Sequence, residues 1–133
     1  MNAVVLDTNV LIDFLERGGQ SASVLGAFDR LFVPAAVDAE FRAGLDPATR
    51  QGLARAALLD DFLADASVDF LPAGRPESVQ YALLHRHLER AGTPIPVHDV
   101  WIAAAALVRN LPLATFDRHF ALVPLLRLLP FGF

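Results

Sequence analysis

The chain has 133 residues, 54% of them hydrophobic, and a formal net charge of −4. That length suits a single domain over residues 1–133 with a substantial core, and no apolar run approaches the roughly 18 residues that cross a bilayer. The absence of cysteine excludes a disulfide framework and a thiolate metal site, and the acidic balance excludes a protein that binds nucleic acid by bulk positive charge. The N-terminus lacks a basic region and carries Asp7 and Asp13 inside its apolar stretch. No signal peptide is therefore expected, and a soluble cytoplasmic protein is.

Strand and helix patterns alternate along the chain, which predicts an α/β fold with a mostly parallel sheet. Ala3 to Leu6 is a short apolar run suited to a buried strand. Asp7-Thr8-Asn9 supplies capping chemistry, and Val10, Leu11, Phe14 and Leu15 follow at helical spacing until Gly18-Gly19. Ser21 can cap a second helix reaching about Arg30, and Leu31 to Val33 reads as a strand. Pro34 opens a helix that stops near Gly44. Asp46-Pro47 reads as a cap followed by a first-turn proline, opening a helix with Leu53, Ala57, Leu58 and Phe62 inward. Val68 to Leu71 is a third strand. Pro76 opens a helix carrying Val79, Leu83, Leu84 and Leu88, which Gly92 closes. Val97 to Asn110 is apolar on nearly all sides and reads as a buried helix. Leu113 to Thr115 is a strand, and a last short one is expected within Leu126 to Phe131. About five strands and six helices result.

Four acids stand out: Asp7, Glu40, Asp99 and Asp117. Asp7 directly follows the first strand, and Asp117 lies two residues past the strand ending at Thr115. Ligands of open α/β sheets bind outside the carboxyl ends of the strands, so these acids share a crevice if their strands are neighbours. Asp99 falls in the first turn of the buried helix. Structural uses stay open for each: Asp7 as a helix cap, Asp99 as a complement to the helix dipole, Asp117 as a turn aspartate. On the helix after Pro34, Val37, Phe41 and Leu45 form one stripe and Ala35, Ala39 and Ala43 another. Asp38 and Arg42 pair at i,i+4 between the stripes. Glu40 falls in the opposite gap without a basic partner on its own helix, so it is either solvated or needs a partner from elsewhere. Clustered carboxylates repel, whereas a bound Mg²⁺ or Mn²⁺ makes the arrangement favourable and suits phosphodiester hydrolysis. Setting these four aside, the remaining eleven acids balance eleven basic residues, all of them arginine. His85 and His87 lie at i,i+2 on different helix faces and read as surface residues, while His98 and His119 flank site acids.

These residues resemble the motifs of the PIN-domain family, and more closely the VapC toxins of toxin–antitoxin pairs. Val5-Leu6-Asp7-Thr8-Asn9-Val10-Leu11-Ile12-Asp13 resembles the first motif. Pro34-Ala35-Ala36-Val37 through Glu40-Phe41-Arg42-Ala43-Gly44 is similar to the second. Asp99-Val100-Trp101-Ile102-Ala103-Ala104 resembles the third, and Thr115-Phe116-Asp117-Arg118-His119-Phe120 the fourth. Phe116 stands where the family often has a small polar residue. The resemblance implies a three-layer α/β/α fold around a mostly parallel five-stranded sheet. It also implies a Mg²⁺- or Mn²⁺-dependent endoribonuclease that cuts single-stranded or looped RNA, leaving 5′-phosphate and 3′-hydroxyl ends. A homodimer and a VapB-like antitoxin that blocks the site are implied as well. By position, Asp7, Glu40, Asp99 and Asp117 are the acidic site, with Asp7 and Asp99 direct metal ligands and Asp117 direct or through water. Glu40 orients or deprotonates the attacking water, and Thr8, Asn9 and Thr115 position acids or phosphate.

Other readings predict different residues. A non-catalytic PIN module predicts a degenerate site, yet all four acids are present. Haloacid-type phosphatases need a second aspartate where this chain has Asn9, and phosphate receivers need a late lysine where this chain has no lysine. A free-standing RNA-processing nuclease shares the same motifs. Phe14, Leu15, Phe28, Phe32, Leu45 and Phe62 are candidates either for the core or for an antitoxin groove or dimer seam.

Overall fold

In the computed structural model, which describes residues 2–129, the first apolar run forms β1 (Ala3–Leu6), buried along its whole length. A strand covered on both faces has no solvated side, which is why it reads as continuous valine and leucine. The other strands are β2 (Arg30–Pro34), β3 (Val68–Leu71) and β4 (Leu113–Ala114). They form one parallel sheet in the order β3-β2-β1-β4. The helices are α1 (Thr8–Ile12), continued by a π-helical turn over Asp13–Arg17, then α2 (Gln20–Leu25), α3 (Ala35–Ala43), α4 (Arg50–Leu63), α5 (Arg75–Arg90) and α6 (Val97–Arg109). They flank the sheet as an α/β/α sandwich, and a 3₁₀ turn follows at Arg118–Leu122.

The described sheet has four strands rather than five. Leu113 meets Leu128 in a single parallel bridge, closed by Leu113 N–H donating to Arg127 (2.8 Å) and Leu129 N–H donating to Leu113 (2.9 Å). Pro124 precedes this stretch and offers no N–H to a ladder. Leu125 also takes a left-handed φ of 67°, which breaks the extended run. The rest of the expected strand, from residue 130, lies outside the described residues.

Three helix starts or ends differ from the sequence reading. The second helix stops at Leu25 because the turn after Gly26 is clamped by Asn2: its carbonyl accepts from Asp29 and Arg30, and its side chain donates to Ala27. Ser21 does not cap that helix. It is buried, and its hydroxyl and amide both donate to the Asp13 carboxylate. That carboxylate packs so closely on Gly19 that a Cβ there would lie 2.5 Å from Oδ1. The fourth helix is capped by Thr49, whose hydroxyl accepts from Gly52 at 3.0 Å, while Asp46 accepts from Ala48 in the preceding turn.

The core joins the four strands and the inner face of α6 with one or two buried residues from each other helix. On α4 the buried residue is Leu59, whereas Leu53 is 60% exposed and Leu58 also faces outward, so the expected face is displaced. On α5, Leu84 and Leu88 are buried and Val79 and Leu83 exposed. The helix is wide enough in apolar residues for two faces, and only contact with α6 decides which is covered. Phe14, Leu15, Phe28, Phe32, Leu45 and Phe62 all pack partly buried against the core. Leu59→Ala is expected to lower unfolding free energy by about 2–5 kcal/mol, and Leu58→Ala by less than ~1 kcal/mol, measured by chemical denaturation.

Candidate active site

The strand order places a crevice where the chain reverses direction across the sheet. β2 and β3 extend to one side of β1, and β4 returns to the other, so β1 and β4 bound the switch point. Their register pairs Val5 with Leu113 and Leu6 with Ala114. The next residues, Asp7 and Thr115, therefore emerge side by side at the carboxyl ends. Asp7 N–H donates to Ala114 (3.0 Å), and Thr115 Oγ1 donates to Asp7 Oδ2 at 2.6 Å. Thr8 N–H donates to Asp7 Oδ1 at 2.7 Å, so Asp7 is a helix cap as well as a site acid. Thr115 Oγ1 also accepts from Asp117 N–H at 3.0 Å, which ties the fourth motif to the first. Asn9 completes this seam by accepting from Phe116 N–H at 3.3 Å.

Asp7 is only 3% exposed. Burial raises its pKa from 3.8 to about 6 against the lowering effect of the Thr115 and Thr8 hydrogen bonds, and the charges of Asp99 and Asp117 raise it further. Asp99 is the third residue of α6 and also buried. Burial pushes its pKa up, and His98 and His119 partly offset this. The pair Asp7 and Asp99 thus puts two carboxylates out of water and within range of one another, and among the described residues no arginine is bonded to either.

Imidazoles hold the remaining acids. His119 Nε2 lies 2.7 Å from Asp99 Oδ2, and its Nδ1 lies 3.8 Å from Asp117 Oδ1. Oxygen or nitrogen atoms of Asp99, Asp117 and His119 all fall within 4.8 Å of one another, a group able to hold a metal ion. Glu40 reaches the cluster through His98, whose Nε2 lies 2.6 Å from Glu40 Oε2 and 3.5 Å from Asp99 Oδ1. Of the two alternatives that the helical wheel left for Glu40, solvation or a partner from elsewhere, this is the second. Asp38 instead pairs with Arg42 at 3.1 Å, and Arg42 also reaches Asp60 at 2.7 Å.

All four acids expected from the sequence, with Thr8 and Asn9, line one cleft of about 330 Å³. Thr115 lies behind it, bonded to Asp7. Thr8 Oγ1 is buried without a hydrogen-bond partner among the described residues. Sequence reading gave no role to three lining or adjoining residues: His98 and His119, noted only as flanking site acids, and Arg55 of α4. The signal for the histidines was adjacency, since each stands within two residues of a site acid. For Arg55 there was none, because its approach depends on how α4 packs.

A protein-family model described as the PIN domain matches residues 4–125. Ribonuclease VapC5 of Mycobacterium tuberculosis is 35% identical over 119 residues, covering 90% of this chain and 86% of that protein. A solved structure of VapBC-5 from Mycobacterium tuberculosis, a member of the VapBC family of toxin–antitoxin systems, aligns with a TM-score of 0.76 at 30% identity, over 98% of this chain and 100% of that one. VapBC2 from Rickettsia felis, solved bound to a promoter DNA fragment, shares the fold with a TM-score of 0.84 at 22% identity, over 96% and 97% of the two chains.

The raised Asp7 pKa has a consequence for stability. Between pH 3.8 and about 6 the folded carboxyl keeps a proton that the unfolded one has released. Metal-free protein is therefore expected to lose stability as pH rises through that window, by on the order of 3 kcal/mol from Asp7 alone. Thermal melts in EDTA from pH 4 to 7 measure it, and Asp7→Asn is expected to flatten that decline.

Proposed function

The chain belongs to the PIN-domain family, and from that premise we propose that it is a divalent-metal-dependent endoribonuclease, the toxin of a toxin–antitoxin pair, acting through a single domain over residues 1–133. One observation carries the reading: Asp7, Glu40, Asp99 and Asp117 converge on one cleft at the switch point of the sheet. Two unit charges about 4 Å apart repel by ~1 kcal/mol in water and by roughly four times that near a protein surface. Folding such a cluster is unfavourable unless a cation belongs there.

The donor set fits Mg²⁺ or Mn²⁺. The cleft offers carboxylate oxygens, the imidazoles of His98 and His119 beside them and the unpartnered Thr8 hydroxyl, with no thiolate to favour a softer metal. Asp99 and Asp117, with Asp7 beside them, would hold the ion. When bound, it supplies positive charge for the phosphate and lowers the pKa of water.

The chain's own residues prepare the rest. Thr115 and the Thr8 amide fix both oxygens of Asp7, so this carboxylate does not rotate away. His119 bridges towards Asp99 and Asp117, fixing the spacing of those two acids. Glu40, half-buried at the cleft wall, accepts the proton of the water that attacks phosphorus, with His98 orienting it. The P–O3′ bond breaks on the opposite side of phosphorus and the 3′ oxygen takes a proton from solvent, giving 5′-phosphate and 3′-hydroxyl ends.

The substrate in this reading is single-stranded or looped RNA; the relatives' name of ribonuclease supports RNA as the substrate class. A VapB-like antitoxin as partner is supported by the toxin–antitoxin context of the 30% identical VapBC-5 structure. A homodimer is supported by the exposed apolar side chains of α5, Val79 and Leu83. No helix among the described residues is long and apolar enough to cross a membrane, in keeping with action on cellular RNA in the cytoplasm.

Asp99→Asn is expected to reduce cleavage of a single-stranded RNA by on the order of 10³-fold, the loss of several kcal/mol of charge stabilisation, with an unchanged circular-dichroism spectrum. Undiminished cleavage by the folded variant, or by wild type in excess EDTA, overturns the assignment. Light scattering at micromolar concentration is expected to give twice the chain mass, and a monodisperse monomer removes the dimer.

A further inference from the structure

The acidic cleft must accept a polyanion, and a cation at its wall is needed wherever the metal does not reach. Among the described residues lining the cleft, Arg55 is the sole arginine. It lies mid-way along α4, with its side chain 29% exposed. Two contacts hold it in place. Nε donates to Glu16 in the π-helical turn, and the guanidinium carbon sits 5.6 Å from the centroid of the Phe41 ring. Phe41 belongs to α3, one residue after Glu40, so Arg55 is braced against the element that carries a site acid.

Using Nε for Glu16 leaves the two Nη groups, and among the described residues neither donates a hydrogen bond to protein. A guanidinium braced at Nε and free at both Nη atoms presents a two-pronged donor, the geometry that binds a phosphate in bidentate fashion. Other arginines are used differently: Arg30 is held by Asp69, and Arg42 by Asp38 and Asp60. Arg55 also lines a second cleft of about 440 Å³ with Leu15, Glu16, Gln51 and Leu58. It therefore stands on the wall shared by two adjoining clefts, where a strand leaving the acidic site continues.

We infer that Arg55 binds a backbone phosphate of the RNA next to the scissile one, held ready by Glu16 and Phe41. This rests on the ribonuclease reading above. Arg55 touches substrate without taking part in the proton transfers, so its loss acts on binding.

The test compares Arg55→Ala, Arg55→Lys and, as a charge-matched control outside both clefts, Arg90→Ala. KM and kcat are measured for cleavage of a short single-stranded oligoribonucleotide in Mn²⁺. Kd for the same oligonucleotide is measured by fluorescence anisotropy, as a function of salt, on the non-cleaving Asp99→Asn background. Arg55→Ala is expected to raise KM and Kd about tenfold, the worth of a charge-assisted hydrogen bond, with kcat within about twofold. Its plot of log Kd against log salt is expected to lose a slope of about 0.7, one single-strand phosphate contact. Arg55→Lys keeps the charge and is expected to restore the slope; Arg90→Ala leaves it intact. An unchanged Kd and slope in Arg55→Ala, a fall in kcat alone, or an equal slope loss in Arg90→Ala overturns the inference while wild-type cleavage stands. If wild type neither cuts nor binds the RNA, the ribonuclease reading itself falls.

Discussion

Thr115 and Asp7 meet at the seam of β1 and β4 through a 2.6 Å hydrogen bond, and the carboxylate so held is almost wholly buried. The rest of the site is organised around it. Parallel pairing of β1 with β4 puts these two residues level. The same Thr115 oxygen accepts from the Asp117 amide, and Asn9 accepts from Phe116, so the first and fourth motifs form one unit. A buried carboxylate next to two others is a local cost that the surrounding core must offset. The all-apolar β1 and the alanine-rich inner face of α6 supply that rigid support.

Such a cost makes chemical sense where a cation is to be held. Sites of function are where proteins keep perturbed ionisable groups, and both buried acids here are pushed towards the neutral form. The histidines set the spacing. His119 spans Asp99 and Asp117, and His98 links Glu40 to the cluster from a different element. Three layers of the fold thus contribute: strand ends through Asp7 and Thr115, the start of α6 through Asp99, and α3 through Glu40. Arg55 adds positive charge from α4, on the side where α1 continues into its π-helical turn.

Much of this was legible in the chain. The order of strands and helices followed from alternating apolar runs and capping residues, and Gly18 and Gly92 close their helices with the positive φ that glycine permits. The four acids were identifiable because each sits at a strand end or helix position that faces a crevice, and the wheel separated Glu40 from Asp38. Side-chain traffic between elements was not legible. His98 and His119 sit beside site acids, but a neighbour in sequence is a neighbour in space only once the backbone direction is known. Arg55 lies in the segment with no motif. The outward turn of Leu53, Leu58, Val79 and Leu83 was missed because α4 and α5 carry more apolar residues than one buried stripe needs. Among the described residues the last strand gives only a single bridge, after Pro124, which has no N–H to offer, and the left-handed Leu125.

The central claim is that these carboxylates form a divalent-cation site. Titration of Mn²⁺ into the protein, followed by the loss of free-ion signal in electron paramagnetic resonance, tests it without reference to any substrate. Saturable binding by the wild-type chain, abolished in folded Asp7→Asn and Asp99→Asn proteins, is the result the account predicts. Absence of saturable binding to the wild type, or binding retained undiminished in both variants, would contradict it.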